Sequence, residues 1–164
     1  YHLISERMGK LAGVKFTHVP YKGAAPMMLD LIGNRIDFTV MAFSTTMMDA
    51  IRSGQYRIIA NMTKDAPQAL ADIPNISSVE AFKDVDYASN AAYYVRKGTP
   101  VAIRQRLNEA IGEALSAGDV ASKLEADGRL VHRGRSIADA EAFYRAEIAR
   151  YQGIVAETGF KPLD

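Results

Sequence analysis

THVPYKGAAP, residues 17–26, is the stretch of sequence that decides how this chain folds. Residues 15–19 are rich in β-branched and aromatic side chains and are bounded by a glycine and a proline, a pattern that predicts a short strand. Gly23 and the two alanines after it then predict the start of a helix. Pro26 lies in the first turn of that helix, where a missing N–H costs little.

A helix start of this composition has the chemistry of an anion site. The backbone N–H groups of Gly23, Ala24 and Ala25 lie at the positive end of the helix dipole, and no bulky side chain blocks them. Each charge-assisted hydrogen bond to such an anion contributes about 1.5–3 kcal/mol. An ordinary strand-to-helix turn, in which the glycine only permits a tight bend, has the same local pattern. The local pattern alone favours this second interpretation.

The first half of the chain alternates between predicted helices and predicted strands. Two further strands, at 37–41 and 56–61, follow predicted helices at 25–32 and 44–52. This alternation predicts an α/β fold with a mostly parallel sheet wrapped by helices.

Beyond residues 87–97 the chain is predicted to be helical. The first helix is predicted to start with Thr99 as N-cap and Pro100 at the first helical position, and to stop at Gly118. A short helix follows at 119–126. A capping box from Ser136 to Asp139 then predicts the start of a last helix, which ends at Gly159.

Five motifs in a fixed order carry a family resemblance. They are VPYKG at 19–23, LIGNRID at 31–37, IRSGQYR at 51–57, ADIPNI at 71–76 and GTP at 98–100. In this order and spacing, the chain resembles the Bug-type, or tripartite tricarboxylate transporter, periplasmic solute-binding receptors. The resemblance runs along essentially the whole chain.

The resemblance implies a periplasmic-binding-protein type II-like lobe followed by C-terminal helices. Residues 1–90 would form the α/β ligand-binding lobe, and residues 91–164 would supply a hinge-side strand and helices that return to the first lobe. The family carries a further N-terminal segment, which would precede Tyr1 and build most of the first lobe. No signal peptide lies within this chain, so the expected periplasmic location implies one ahead of Tyr1 that is removed.

Two positions depart from the usual family pattern. The predicted hinge-side strand at 89–94 lacks the usual tryptophan, and Asn75 replaces the usual threonine or serine after Pro74. The lining of the cleft is therefore expected to differ from that of a typical relative.

The predicted site consists of two loops that together hold a small carboxylate. In an open α/β sheet, ligands bind at the carboxyl ends of parallel strands, where both loops would lie. The first loop supplies Tyr21, Lys22, Gly23, Ala24 and Ala25, and the second supplies Ala42, Phe43, Ser44 and Thr45. The resemblance adds closure of two lobes on the ligand and presentation of the solute to membrane transporter subunits.

Composition excludes several other classes of function. The net charge of +1 is unsuited to a nucleic-acid partner, and the absence of cysteine excludes disulfides and thiolate chemistry. The histidines show no metal-ligand spacing, and no motif of a hydrolase, a nucleotide-binding loop or a dinucleotide fold is present. The sequence therefore predicts capture without conversion, no enzyme activity and no cofactor.

Two alternatives and one further expectation accompany this prediction. The same lobe architecture serves as the ligand-sensing module of regulators, and a chain with half a cleft could be an interaction fragment that binds no ligand.

Two stripes of apolar side chains on the C-terminal helices are predicted to lack a cover. The first consists of Ile103, Leu107 and Ile111, and the second of Phe143, Tyr151 and Ile154. Self-association of the chain is the expected consequence.

Overall fold

A computed structural model describes residues 1–132 and 134–161, and within them the regular structure is helical. The helices are α1 (His2–Ala12), α2 (Ala24–Ile32), α3 (Met48–Arg52), α4 (Val101–Ser116), α5 (Gly118–Ala126) and α6 (Ile137–Thr158). Four 3-10 turns connect them, at Thr45–Met47, Gln68–Leu70, Ile76–Ser78 and Glu80–Phe82.

Several predicted helix ends are confirmed, and one is wrong. The hydroxyl of Ser136 accepts the backbone N–H of Asp139 at 3.1 Å, and Gly159 closes α6 in the left-handed region with φ 69°. Thr99 is not the N-cap of α4, because that helix starts at Val101 with Pro100 in the cap position. The Thr99 hydroxyl instead donates to the carbonyl oxygen of Arg96 at 2.8 Å, so it is engaged in the preceding turn.

The predicted parallel sheet is not confirmed. Residues 15–19, 37–41, 56–61 and 89–94 contain no assigned strand, and the described residues show one isolated parallel bridge, between Asn61 and Asn75. A strand exists only where its N–H and C=O groups pair with a neighbouring segment. The last three of these segments border an open cleft instead of pairing with one another, so no ladder forms between them.

The single bridge is reinforced by two asparagine side chains. Asn61 is only 8% exposed, and its amide nitrogen donates to the carbonyl oxygen of Ile73 at 2.8 Å. The Asn75 amide nitrogen donates to the Asn61 side-chain oxygen at 2.7 Å, and the Asn61 carbonyl accepts the backbone N–H of Ile76 at 2.9 Å. Because both amides are satisfied by protein groups, the bridge is a fixed point in an otherwise irregular region.

The hydrophobic core lies where α1 and the second half of α6 meet the segment 76–87. Its buried members are Ile4, Ile76, Val85, Tyr87 and Ile154. Tyr151 packs against this cluster, so the expectation of an uncovered stripe is wrong for Tyr151 and Ile154. The cover is α1, which the sequence did not assign to that face.

Polar contacts strengthen the packing of α1 on α6. The guanidinium of Arg7 donates to Glu157 on α6 at 2.9 Å and to the Tyr87 hydroxyl at 2.6 Å. The guanidinium of Arg150 on α6 also contacts Tyr87, because it lies over the Tyr87 ring at 5.1 Å from the ring centre. The ends of the chain are therefore joined, while the predicted domain division at residue 90 stays a prediction.

Candidate functional site

A wide cleft lies between the irregular segments and the C-terminal helices. It has a volume of about 3010 Å³ and is bordered by the irregular segments 36–43, 55–63 and 84–99 and by faces of α4 and α6. Typical small-molecule pockets measure about 300–1,000 Å³. Of the predicted site residues, Ala42 and Phe43 line this cleft, and residues 21–25 do not.

The first loop presents an open backbone at the start of α2. Gly23 is the N-cap residue with φ 126° and ψ 175°, a conformation that residues with a side chain rarely adopt. A Cβ added there would meet no atom within 4 Å, and Gly23, Ala24 and Ala25 are all exposed. The N–H groups of a first helical turn have no intrahelical acceptor, so those of this loop have no partner within α2.

Tyr21 is tied to α2 and does not offer its hydroxyl to a ligand. The hydroxyl donates to Asp30 at 2.8 Å, and Arg35 donates to the other oxygen of Asp30 at 2.7 Å. The hydrogen bond from Tyr21, followed by that from Arg35, lowers the pKa of Asp30 below its usual value. The same contact raises the pKa of Tyr21. Lys22, beside it, is exposed.

A histidine pair connects the segment before the first loop to α1. The rings of His2 and His18 are stacked with centres 3.5 Å apart and planes 4° apart, and Phe160 contacts His2 edge-on at 4.8 Å. Desolvation, and then the charge of His2, lower the pKa of His18. The stack is therefore most favourable when His18 is neutral.

The second loop is engaged by a carboxylate from the other half of the chain. The Ser44 hydroxyl lies 2.9 Å and the Thr45 hydroxyl 3.0 Å from the same oxygen of Asp127. The two hydroxyl groups lower the pKa of Asp127, so this carboxyl is ionised at neutral pH. Ser44 also caps the 3-10 turn, because its oxygen accepts the backbone N–H of Thr46 at 3.4 Å.

Two more contacts seat the second loop. A Cβ at Gly128, where φ is 79°, would lie 2.8 Å from a ring carbon of Phe43, so the ring packs directly on the glycine backbone. The backbone N–H of Ala42 donates to the Tyr1 hydroxyl at 3.2 Å. The structure thus uses donors of this loop internally, whereas the sequence assigned them to a ligand.

Sequence reasoning missed the turn at 127–129 as part of the candidate site. Arg129 donates to the second oxygen of Asp127 at 3.1 Å, which completes the contacts around that carboxylate. A signal was present, because Asp127 follows the last residue of α5, where a negative charge opposes the helix dipole. An acidic residue in that position indicates a partner elsewhere in the fold.

Residues 1–132 and 134–161 contain no cluster of metal ligands and no helix suited to a membrane. No group of three or more histidine, cysteine, aspartate or glutamate side chains in these ranges is placed to hold a metal ion. No helix within them has the length and apolar character needed to cross a membrane.

Comparison with known sequences gives a match along nearly the whole chain. A family model described as a tripartite tricarboxylate transporter family receptor matches residues 1–160. A protein encoded in the TAR-I ttuE-ttuC' intergenic region of Agrobacterium vitis is 31% identical, over 95% of this chain and 46% of its own length. BugT of Bordetella pertussis is 28% identical, over 98% of this chain and 48% of its own length. The chain therefore spans about half the length of these relatives.

A solved structure matches the fold over the same extent. The R. palustris protein Rpa4515, solved with adipate, superposes with a TM-score of 0.86 and 30% sequence identity. The match covers 99% of this chain and 53% of that protein. This chain thus takes the fold of about half of that structure.

Proposed function

This chain belongs to the tripartite tricarboxylate transporter receptor family, and from that premise we propose that it captures a small carboxylate. The capture is reversible binding without chemical conversion. As part of a receptor, the chain would act outside the cytoplasm and would deliver its solute to the membrane subunits of a transporter. The periplasm is the compartment that this role requires.

The open loop at residues 21–25 is the observation that carries the proposal. Gly23, Ala24 and Ala25 lie at a helix start and are exposed, and a Cβ at Gly23 would meet no atom within 4 Å beyond its chain neighbours. α2 has no acidic residue in its first turn, and Asp30, the carboxylate near Tyr21, is paired with Arg35. These features together suit a carboxylate held through the backbone.

A linear dicarboxylate is the proposed class of solute. The structural neighbour from R. palustris was solved with adipate, a six-carbon dicarboxylate, and it superposes on 99% of this chain. A ligand with two charged ends would need a second group of donors besides the first loop.

Calorimetry and NMR of the chain test this proposal. Adipate is titrated into the ¹⁵N-labelled chain, with adipamide, the neutral diamide of equal length, as the control ligand. We expect saturable changes at the amides of residues 23–25 with adipate only. At a ligand concentration of one hundred times Kd, binding adds about 2.7 kcal/mol to the free energy of unfolding. Equal responses to both ligands, or none, would contradict the proposal.

Self-association is a second property that we propose for this chain in isolation. Ile103 and Leu107 on α4 are 51% and 42% exposed, and Tyr93 and Tyr94 before α4 are 79% and 70% exposed. Large apolar side chains at this level of exposure favour contact with another protein surface. Sedimentation velocity over a range of concentrations tests this, and a monomer at every concentration would contradict it.

A further inference from the structure

The second loop already holds a carboxylate, and that carboxylate is the chain's own Asp127. We infer that residues 42–45 form a carboxylate site closed by an internal occupant, which a solute reaches only when the turn at 127–129 moves away. The inference deepens the proposed function and rests on it for the class of solute.

The contacts around Asp127 are those of a carboxylate-binding site. One oxygen receives the hydroxyls of Ser44 and Thr45 at 2.9 and 3.0 Å, and the other receives Arg129 at 3.1 Å. Hydroxyls and a guanidinium are among the donors that proteins commonly direct at bound carboxylates.

The position of Asp127 is not explained by the helix to which it is attached. Asp127 is the C-cap residue of α5, and a carboxylate at that end faces the negative pole of the helix dipole. Its favourable contacts with residues 44 and 45 connect positions 83 and 82 apart in the sequence. The residue therefore serves the second loop and not its own helix.

Packing beside the carboxylate fixes the turn in this place. Gly128 has φ 79°, and the Phe43 ring occupies the space that a side chain at this position would need. The second loop and the turn therefore each contribute one group to their contact. The Phe43 ring of the loop packs on the backbone of the turn, and the Asp127 carboxylate of the turn accepts the hydroxyl groups of the loop. Withdrawal of the turn would release the hydroxyls and uncover the ring together.

An external carboxylate and Asp127 cannot both accept hydrogen bonds from the Ser44 and Thr45 hydroxyls at the same time. Each hydroxyl carries one proton, and those of Ser44 and Thr45 are both directed at Asp127. A tethered group competes at an effective concentration in the millimolar range or above, so removing it should raise the affinity for a weak external carboxylate by about tenfold or more.

Acetate is the probe that tests the inference, because it carries one carboxylate and little else. Acetate is titrated into the ¹⁵N-labelled parent chain, Asp127→Ala and Asp127→Asn, with the amides of residues 44–46 followed by NMR. Asp72→Asn is the matched control, since Asp72 is exposed and the substitution removes the same charge. We expect acetate to shift these amides in Asp127→Ala at about one tenth of the concentration that the parent needs, or less.

The outcomes separate this inference from the proposed function. Asp127→Asn keeps the size of the side chain, so it decides the question if Asp127→Ala loses its folded spectrum. A double variant, Ser44→Ala with Asp127→Ala, should lose the gain. If neither Asp127 variant binds acetate at residues 44–46 more tightly than Asp72→Asn does, Asp127 is only a structural clamp and the inference is wrong. The amides of residues 23–25 report on the proposed function independently in the same spectra.

Discussion

The two loops that the sequence assigns to carboxylate binding differ in whether their donors are already in use. Residues 23–25 expose the N–H groups of a helix start to open space. Ser44 and Thr45, by contrast, direct their hydroxyls at Asp127, and the N–H of Ala42 bonds to Tyr1. The first loop is therefore open, whereas the donors of the second loop are engaged by the protein itself.

This difference shows which properties of a binding loop are determined by residues nearby in the sequence. Both helix starts follow from nearby residues, Gly23 in one case and Ser44 as N-cap in the other. Occupancy of the second loop depends on a residue 83 positions further along the chain from Ser44, and no local pattern reveals it. A helix start can be identified from its sequence, but its availability to a ligand is a property of the tertiary fold.

Ala24→Asp is the substitution expected to have the largest effect on ligand binding. A carboxylate placed in the first loop would repel the ligand by about 1 kcal/mol at 4 Å in bulk water and about 4 kcal/mol at a partly desolvated site. We therefore expect the affinity for adipate to fall by about fivefold to about nine-hundredfold. Calorimetry with the parent chain and the variant measures this directly.

Ala24→Asn is the control for that experiment, because asparagine has nearly the same size and no charge. An aspartate in the first turn of a helix is favoured by the dipole, so α2 should remain folded in both variants. Circular dichroism checks this point. If adipate binds Ala24→Asp as tightly as it binds the parent, the first loop does not hold the carboxylate and the contrast between the loops loses its functional meaning.

Gly128→Ala is expected to disturb the second loop and to leave the first intact. The left-handed backbone at Gly128 costs a residue with a side chain about 1–2 kcal/mol. The added Cβ would also lie 2.8 Å from the Phe43 ring, which must shift to accommodate it. We expect the free energy of unfolding, measured in urea, to fall by at least this amount, and amide exchange at residues 44–46 to accelerate.

Gly112→Ala is the matched control for the loss at Gly128. Gly112 lies inside α4, and a Cβ there meets no atom within 4 Å. Alanine in a helix interior stabilises it by about 0.5–1 kcal/mol relative to glycine. Opposite signs for the two substitutions would support the packing of Phe43 on Gly128. Faster exchange at residues 23–25 in Gly128→Ala would show that the two loops are coupled.

The helices were predictable from the sequence, whereas the pairing of the extended segments was not. The ends of α6 follow from Ser136, Asp139 and Gly159, whose effects are confined to neighbouring residues. A sheet requires distant segments to meet, and among the described residues that happens only at the bridge between Asn61 and Asn75. Alternation of apolar residues indicates which segments are suited to a strand and not whether a partner is present.

The conformation of the first loop was predictable from the sequence, whereas the contacts of the second loop were not. Gly23 signals its own conformation because only glycine readily adopts φ 126°. Asp127 gives only an indirect signal, an acidic residue at the wrong end of a helix, which indicates that a partner exists without identifying it. The cover that α1 gives to Ile154 was missed for the same reason, since it is a contact between the two ends of the chain.

His18→Gln is expected to have the smallest effect, and it tests how the first loop is held. Desolvation and the charge of His2 keep the pKa of His18 below its ordinary value of 6.5, so the unfolded chain takes up a proton before the folded chain does. Glu6, 3.3 Å from His2, partly offsets this repulsion, and the amino terminus adds to it. The free energy of unfolding should therefore decrease as the pH falls below about 6.5, and His18→Gln should reduce this dependence on pH.

His132→Gln is the control, because His132 is exposed and remote in sequence from the stack. Urea titrations between pH 7.5 and 5 measure the slopes at about half-unit steps. If both variants keep the slope of the parent, the stack does not sense pH, and the first loop is anchored by Tyr21 and Asp30 alone.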